Sequence, residues 1–500
     1  MEPYAGIRHR YIAGAKQQHK LVGNRNKCDL QTPVNRYYEK DDKMGKILTT
    51  LLFLSLSVSA FAQGDNSLRQ MKNWQIKGLA KSALRIDDPF QAGLYLEEWH
   101  RRKPGDNKAS LELAKVYLQI REYEKAASLL DKLYRQNPRQ NLEARYYMAV
   151  VNKYFGKYEE ALEHFEYVRL KHKRIPDRLI NRKRIEREIE GCMMGIAAKD
   201  TTLNTEVFRL NESVNHSDMS FSPIIINDSS FIYGSTDTDK TFVELSEAYK
   251  PSWKFFKAEK REGKWTGQLE SSAPFKNSEL YDTGRGALSP DGKRFYSTQC
   301  FINDKGKRIC HIYVSFLEEG EWSEPQALDK TINNSRFTSS QPAAANLFNP
   351  SLEVLYFVSD RPGGAGGKDI WFSVYDKNTN KYQKPENAGV FINTEGDEIS
   401  PYYDASSGHL YFSSNSWPGY GGFDIFYAKG SMVSWDQPVN IGPPVNSPFD
   451  DFDYVKSGTS RFRLFVTNRP DKGEYSEGVP PDRIYGYDED RAPGATMQDR

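Results

Sequence analysis

The chain has 500 residues, 38% hydrophobic and 27% charged, with a mean hydropathy of −0.72, which excludes a polytopic membrane protein and leaves room for roughly two to four domains. Aromatic residues reach 13%, with 30 Tyr and 27 Phe, which suits β-rich structure. The formal net charge of +2 hides a split, because residues 66–200 carry about +9 and residues 201–500 about −11.

The first apolar segment begins at Met44 and reads "MGKILTTLLFLSLSVSAFAQG". A short basic start, an apolar stretch and Ala60-Phe61-Ala62 make an export leader over residues 44–62, cleaved after Ala62. Residues 1–43 are then expected to be an over-called upstream extension. As a membrane span the segment is too short and too rich in Ser and Thr, since about 20 apolar residues are needed, so no transmembrane anchor is expected. No Cys follows the cleavage site, so no lipid anchor is indicated either. The expected location is the periplasm, in association with the outer membrane.

Residues 66–200 repeat. Ala92, Ala126 and Ala161 stand at equivalent places in "FQAGLYLEEWHRRKP", "YEKAASLLDKLYRQNP" and "YEEALEHFEYVRLKHK", at spacings of 34 and 35 that match the tetratricopeptide period. Leu79-Ala80, Leu113-Ala114 and Met148-Ala149 supply a large-then-small pair in each first helix, and Leu96, Leu130 and Phe165 follow in each second helix. Residues 177–198 read as a capping helix, which terminal repeats require. The run "RLKHKRIPDRLINRKRIER" is basic, but charge without base-reading chemistry on an exported chain does not make a nucleic-acid site, and no nucleic-acid partner is expected.

Residues 201–490 repeat differently. "SSFIYGST", "KRFYSTQC", "VLYFVSDR", "HLYFSSNS" and "RLFVTNRP" are five alternating runs, each the start of a hairpin. Ser222-Pro223, Ser289-Pro290, Gln341-Pro342 and Ser400-Pro401 open preceding strands, and "KWTGQL", "EWSEPQAL", "KYQKPENA" and "SWDQPVNI" follow as fourth strands. Four strands per unit is a propeller blade. Five connectors precede the blades, at Val214-Asn215, Lys276-Asn277, Ile332-Asn333, Ile392-Asn393 and Val445-Asn446. The last hairpin has no fourth strand after it, so residues 206–211 are expected to supply one. Cys300 and Cys310 flank a hairpin loop and read as a disulfide. Cys28 lies in the extension, and Cys192 is left over as a buried helix thiol. The fold class is therefore α+β multidomain, an N-terminal tetratricopeptide α-solenoid followed by a five-bladed β-propeller, with residues 491–500 a disordered tail.

The hairpins resemble the TolB-like, WD-type propeller family, most specifically in "RPGGAGGKDIWF" and "WPGYGGFDIFY". With the leader and the helical repeats, the architecture resembles OmpA-family envelope proteins of Bacteroidota such as the PorE-type component of type IX secretion. Those proteins continue into an OmpA domain that holds peptidoglycan; this sequence ends at "RAPGATMQDR", so that anchoring does not carry over. Envelope proteins, among them an OmpA-type or secretion-system component, are the partners the resemblance implies.

Enzyme motifs are absent: there is no G-x-S-x-G, no H-E-x-x-H and no P-loop. No cofactor is expected, and the acids have no EF-hand or RTX spacing, so no metal site is expected. Five-bladed propellers also host glycosidases, which need paired carboxylates. Acids in "GDEISPYYD" (Gly396–Asp404) and "FDDFDY" (Phe449–Tyr454) follow the blade period and are expected to cap turns. Arg361, Trp417, Tyr420 and Arg469 sit on glycine-rich loops and are read as exposed anchors for a protein partner, or else as parts of closed turns. The leading expectation is a non-enzymatic periplasmic adaptor for envelope assembly or secretion. A peptidoglycan- or glycan-associated binding protein is the alternative, and a glycosidase comes third.

Overall fold

The computed structural model describes residues 66–137, 141–175, 177, 180–199, 206–236, 253–470 and 480–488. Every described residue belongs to one compact unit within residues 60–500. The expected leader at 44–62, the expected extension before it and the expected tail at 491–500 lie outside the described residues. No helix among the described residues is long and apolar enough to cross a membrane.

Eight α-helices come first among the described residues: α1 (Asn66–Gln70), α2 (Asn73–Arg85), α3 (Pro89–Arg102), α4 (Asn107–Gln119), α5 (Tyr123–Gln136), α6 (Leu142–Tyr154), α7 (Tyr158–Lys171) and α8 (Arg182–Ala198). The starts have local causes. Asp88, with Pro89 in the first turn, accepts from Gln91 N–H, and Asp106 accepts from Ala109 N–H. From α2 to α7 the helices form three antiparallel pairs. Within each pair the chain turns at a residue of positive φ, namely Asp87 (60°), Arg121 (64°) and Gly156 (67°). Ala92, Ala126 and Ala161 are fully buried, so neighbouring helices approach closely there, with Leu130 and Phe165 equally buried beside them.

After β1 (Val207–Arg209), the strands form five sheets around an axis. Blade 1 holds β2 (Ser220–Asn227), β3 (Ser230–Thr236), β4 (Trp253–Arg261) and β5 (Lys264–Leu269). Blade 2 holds β6 (Asp282–Leu288), β7 (Arg294–Ile302) and β8 (Arg308–Glu318), with the short β9 (Glu321–Trp322) and β10 (Gln326–Ala327) outside them. Blade 3 repeats this with β11 (Ser339–Asn346), β12 (Leu352–Ser359), β13 (Asp369–Asp376), β14 (Lys381–Tyr382) and β15 (Glu386–Asn387). Blade 4 holds β16 (Glu398–Asp404), β17 (His409–Ser414), β18 (Asp424–Ser431), β19 (Ser434–Trp435) and β20 (Val439–Asn440). Blade 5 holds β21 (Asp451–Lys456), β22 (Phe462–Thr467) and β23 (Arg483–Asp488). Its outer strand is β1, paired antiparallel from Val207 opposite Tyr487 to Arg209 opposite Tyr485, which closes the ring.

Separate apolar clusters fill the interfaces between blades. Phe221, Phe231 and Tyr233 of blade 1 meet Phe452, Leu464 and Val466 of blade 5 across the closure. Cys300 and Cys310 face each other on β7 and β8 and form the disulfide, while Cys192 is a buried free thiol. Each connector Asn acts as a missing strand residue. Asn333 Oδ1 accepts from Ile312 N–H (2.9 Å) and its Nδ2 donates to Ile312 O (2.8 Å). Asn393 does the same for Ile370, Asn446 for Ile425, Asn277 for Phe255 and Asn215 for Ile484.

The helical array meets the propeller through its intra-pair turns and through α8. Arg121 Nε lies 2.9 Å from Asp450 Oδ2 and its Nη1 2.5 Å from Asp482 Oδ1. Gly156 lies against Pro448, and Arg187 Nη1 reaches Glu395 Oε2 at 2.9 Å. All these propeller groups belong to the face of the connectors and of the loops between the second and third strands of the blades. The basic part of the chain is thus clasped to the acidic part on that one face.

Candidate functional site

The site follows from strand accounting. In every sheet the innermost strand (β2, β6, β11, β16 or β21) pairs on one side only. Its other edge, a row of backbone N–H and C=O groups, faces the propeller axis without a ladder partner. Each of these strands also carries a bulge near its start, where one residue has positive φ: Ser222, Gly284, Gln341, Ser400 and Asp453.

The bulges aim side chains at one another across the axis. Asp453 accepts from Ser222 N–H (2.8 Å), from Ser400 Oγ (2.5 Å) and from Arg285 Nη1 (3.3 Å). Ser400 N–H donates to Gln341 Oε1 (2.6 Å), and Gln341 N–H donates to Thr298 Oγ1 (3.0 Å). The Arg285 guanidinium stacks 4.6 Å from the Phe221 ring. All five blades are joined in this polar girdle. Beyond it a channel of about 580 Å³ runs to the turns that join first and second strands, with Asn227, Asn346, Ala405 and Thr459 around its mouth. The helices cover the opposite face.

Asp453 is the single carboxylate lining the channel among the described residues. The other blade-start acids serve turns, as their period suggests. Asp397 accepts from Lys368 N–H, Asp450 from Phe423 N–H, and Glu398 from Thr394 N–H. Burial pushes Glu398 up to about 8 and Asp424 up to about 7, the latter opposed by nearby Lys153. No group of acids, His and Cys able to hold a metal occurs among the described residues.

The four loop residues read as exposed anchors are placed otherwise. Arg361 is buried: its Nη2 donates to Ile332 O (2.7 Å) and to Ser339 Oγ (3.0 Å), over the Phe357 ring. Arg469 donates from Nη1 to Pro444 O (2.8 Å) and pairs with Asp451 (2.6 Å). Trp417 donates from Nε1 to Ile392 O (3.0 Å) beneath the Arg187 guanidinium. Tyr420 is half-buried and its N–H donates to Asp424. The first three follow the second strand of blades 3, 4 and 5 and tie each loop to the connector just before its Asn. They are fasteners between blades rather than exposed tips.

The girdle was missed by sequence reasoning, although Ser222-Pro223, Gln341-Pro342 and Ser400-Pro401 marked three of its five positions. Ser289-Pro290 did not mark a fourth, because it lies in the turn after β6, and Gly284 holds the equivalent place in blade 2.

No protein-family profile matches the chain, and no curated protein matches it. Solved structures similar to it include a thermostable family-43 glycoside hydrolase at 12% identity and a TM-score of 0.34, covering 54% of this chain and 88% of its own. The α-L-arabinofuranosidase PaAbf62A from Podospora anserina is 11% identical, with a TM-score of 0.36 over 57% of this chain and 96% of its own. MamA protein is 17% identical, with a TM-score of 0.23 over 32% of this chain and 85% of its own. Against the expectations of a non-enzymatic adaptor and of no enzymatic role, solved structures similar to this chain include glycoside hydrolases, and those expectations are not carried further. At these identities and TM-scores the likeness carries no argument about this chain's activity.

Proposed function

We propose that the axial channel binds a glycan. The observation that carries this reading is a channel of about 580 Å³ with the polar girdle at one end, the turns between first and second strands at the other, and the inner strands of all five blades as its walls. A saccharide presents a dense set of hydroxyl donors and acceptors, which match backbone N–H and C=O groups and the amides of Gln341, Asn227 and Asn346. The apolar rows of Ile224, Ile225, Pro342 and Val455 between them suit the C–H faces of sugar rings. Hydrolysis takes two carboxylates flanking the bond, and the described lining offers one that already accepts from three blades. Binding is what this geometry supports best.

Two finer readings accompany it. We read the helical part as a tetratricopeptide array, supported by the 34- and 35-residue spacing of its buried alanines and of the turns at Asp87, Arg121 and Gly156. We also place the protein in an oxidising compartment, a reading supported by the Cys300–Cys310 disulfide and the leader-like segment at 44–62.

The test is calorimetric titration of the full chain with soluble oligosaccharides of neutral, acidic and amino-sugar type, with reducing-end release followed in the same samples. Binding by at least one class is expected. Asn346→Ala removes an exposed amide, so stability should stay within about 0.5 kcal/mol while affinity falls. Failure of all three classes to bind would overturn the reading. Reducing-end release would show a second acid acting with Asp453.

A further inference from the structure

The channel's charge and its rim narrow the class of glycan, an inference that rests on the proposed glycan site. Two charged side chains line the channel among the described residues, and both are already neutralised within the protein. Asp453 is held by Arg285, Ser222 and Ser400. Lys456 forms an ion pair with Asp404. The remaining polar lining is made of amides, hydroxyls and backbone groups. A carboxylated sugar entering here would find no unpaired cation, and an amino sugar no unpaired anion. Either would lose hydration without a charge partner to replace it.

The mouth adds a second feature. Phe348 stands on the turn between β11 and β12, two residues after Asn346, with a relative exposure of 107%. Its neighbour Leu347 packs into the cluster between blades 3 and 4, which fixes that turn to the body of the propeller. From blade 1, Ile226 lines the channel and is 43% exposed. A fully solvated Phe beside a polar channel is a platform for one face of a sugar ring, outside the channel proper.

We infer that the site takes a neutral oligosaccharide that enters at the hairpin-turn face, with one unit stacked on Phe348 outside the channel and further units inside. Length dependence follows: a disaccharide fits inside and ignores Phe348, whereas a hexasaccharide uses it.

The experiment titrates the full chain with neutral β-linked xylo- and cello-oligosaccharides of two and six units, oligogalacturonate and chitosan oligosaccharides. The neutral hexasaccharides should bind at least about tenfold more tightly than either ionic series, a difference of about 1.4 kcal/mol. Raising salt from about 50 to about 500 mM should leave their affinity nearly unchanged, since no unscreened ion pair forms. Phe348→Ala should weaken the hexasaccharides about fivefold or more and leave the disaccharides unaffected, as expected for a single stacking contact. An ionic series binding best, or Phe348→Ala acting equally on both lengths, would overturn this inference and leave the glycan site standing. If no saccharide of any charge binds, the proposed function itself falls.

Discussion

At the scale of single residues, the position of a charge decides its meaning. Arg361 has the composition of an interface anchor, yet it lies under the surface, and burial pulls its guanidinium down to about 10. Arg361→Ser should therefore cost about 2–4 kcal/mol, because Ile332 O and Ser339 Oγ lose a charged donor and the Phe357 ring loses its cover. Urea melts of both proteins would measure it, and an unchanged midpoint would return Arg361 to the surface. The sequence carried a warning. Arg361, Trp417 and Arg469 each precede a Pro at the same place in successive blades, and side chains that recur with the blade period serve the blade. Glu398 gives a pH prediction. Burial raises its folded-state value to about 8 from the ordinary carboxylate range, so the neutral form is the one the native site favours. Its contribution is then fully present below about pH 4.5 and is lost as pH rises through about 8. With a one-unit shift worth about 1.4 kcal/mol, stability should drop by at least about 2 kcal/mol between pH 5 and 9. Glu398→Gln should flatten that slope, and an equally steep slope in the variant would assign it to another group.

At the scale of elements, the propeller was legible because each blade restates the same instructions. Alternating hairpins, fourth strands and five connector Asn residues gave the count, and the missing last strand gave the closure by β1. The Asn connectors were visible as a recurring mark, but their role needed coordinates. Each side chain replaces a strand partner for one residue of the third strand, and the residue before it is buried at 0% in Val214, Ile332 and Ile392. The same arithmetic predicts the cost of losing one. Asn333→Ala strands Ile312 N–H and releases Ile312 O and Leu328 O, all buried, so about 2–3 kcal/mol should go. Asn333→Asp is the sharper variant, because it keeps the acceptor for Ile312 N–H and removes both donors. It should destabilise at least as much as Ala at pH 7 and less at pH 4, where the acid can donate. Equal loss at both pH values would mean that packing, not the paired hydrogen bonds, fixes the connector. The girdle was illegible for a different reason. Ser222, Gln341 and Ser400 each precede a Pro, but Gly284 and Asp453 do not, and what the five share is a backbone conformation rather than a residue type.

At the scale of the whole molecule, the charge split between the two parts becomes a clasp. Arg121 sits in the left-handed turn between α4 and α5 and reaches Asp450 and Asp482, which are 4% and 6% exposed. Arg187 meets Glu395 and the Trp417 ring, and Gly191 lies so close to Gly419 that a Cβ has no room. The array stands on its intra-pair turns and on Arg187 and Gly191 of α8, and the channel mouth lies on the far side of the propeller. Repeat spacing could not have shown this, since it fixes how helix pairs stack and says nothing of what their turns touch. The clasp should make the two parts unfold together. Arg121→Gly relieves the left-handed backbone, which by itself would stabilise by about 1 kcal/mol. It also leaves two buried carboxylates without their cation, a loss of about 3–5 kcal/mol. The net effect should be a lower midpoint, and calorimetry should resolve two transitions where the parent shows one. Adding Asp450→Asn and Asp482→Asn to Arg121→Gly removes the unpaired charges and should recover part of the midpoint without restoring a single transition. A parent-like single transition in Arg121→Gly would mean that the Gly191 and Arg187 contacts alone join the array to the propeller.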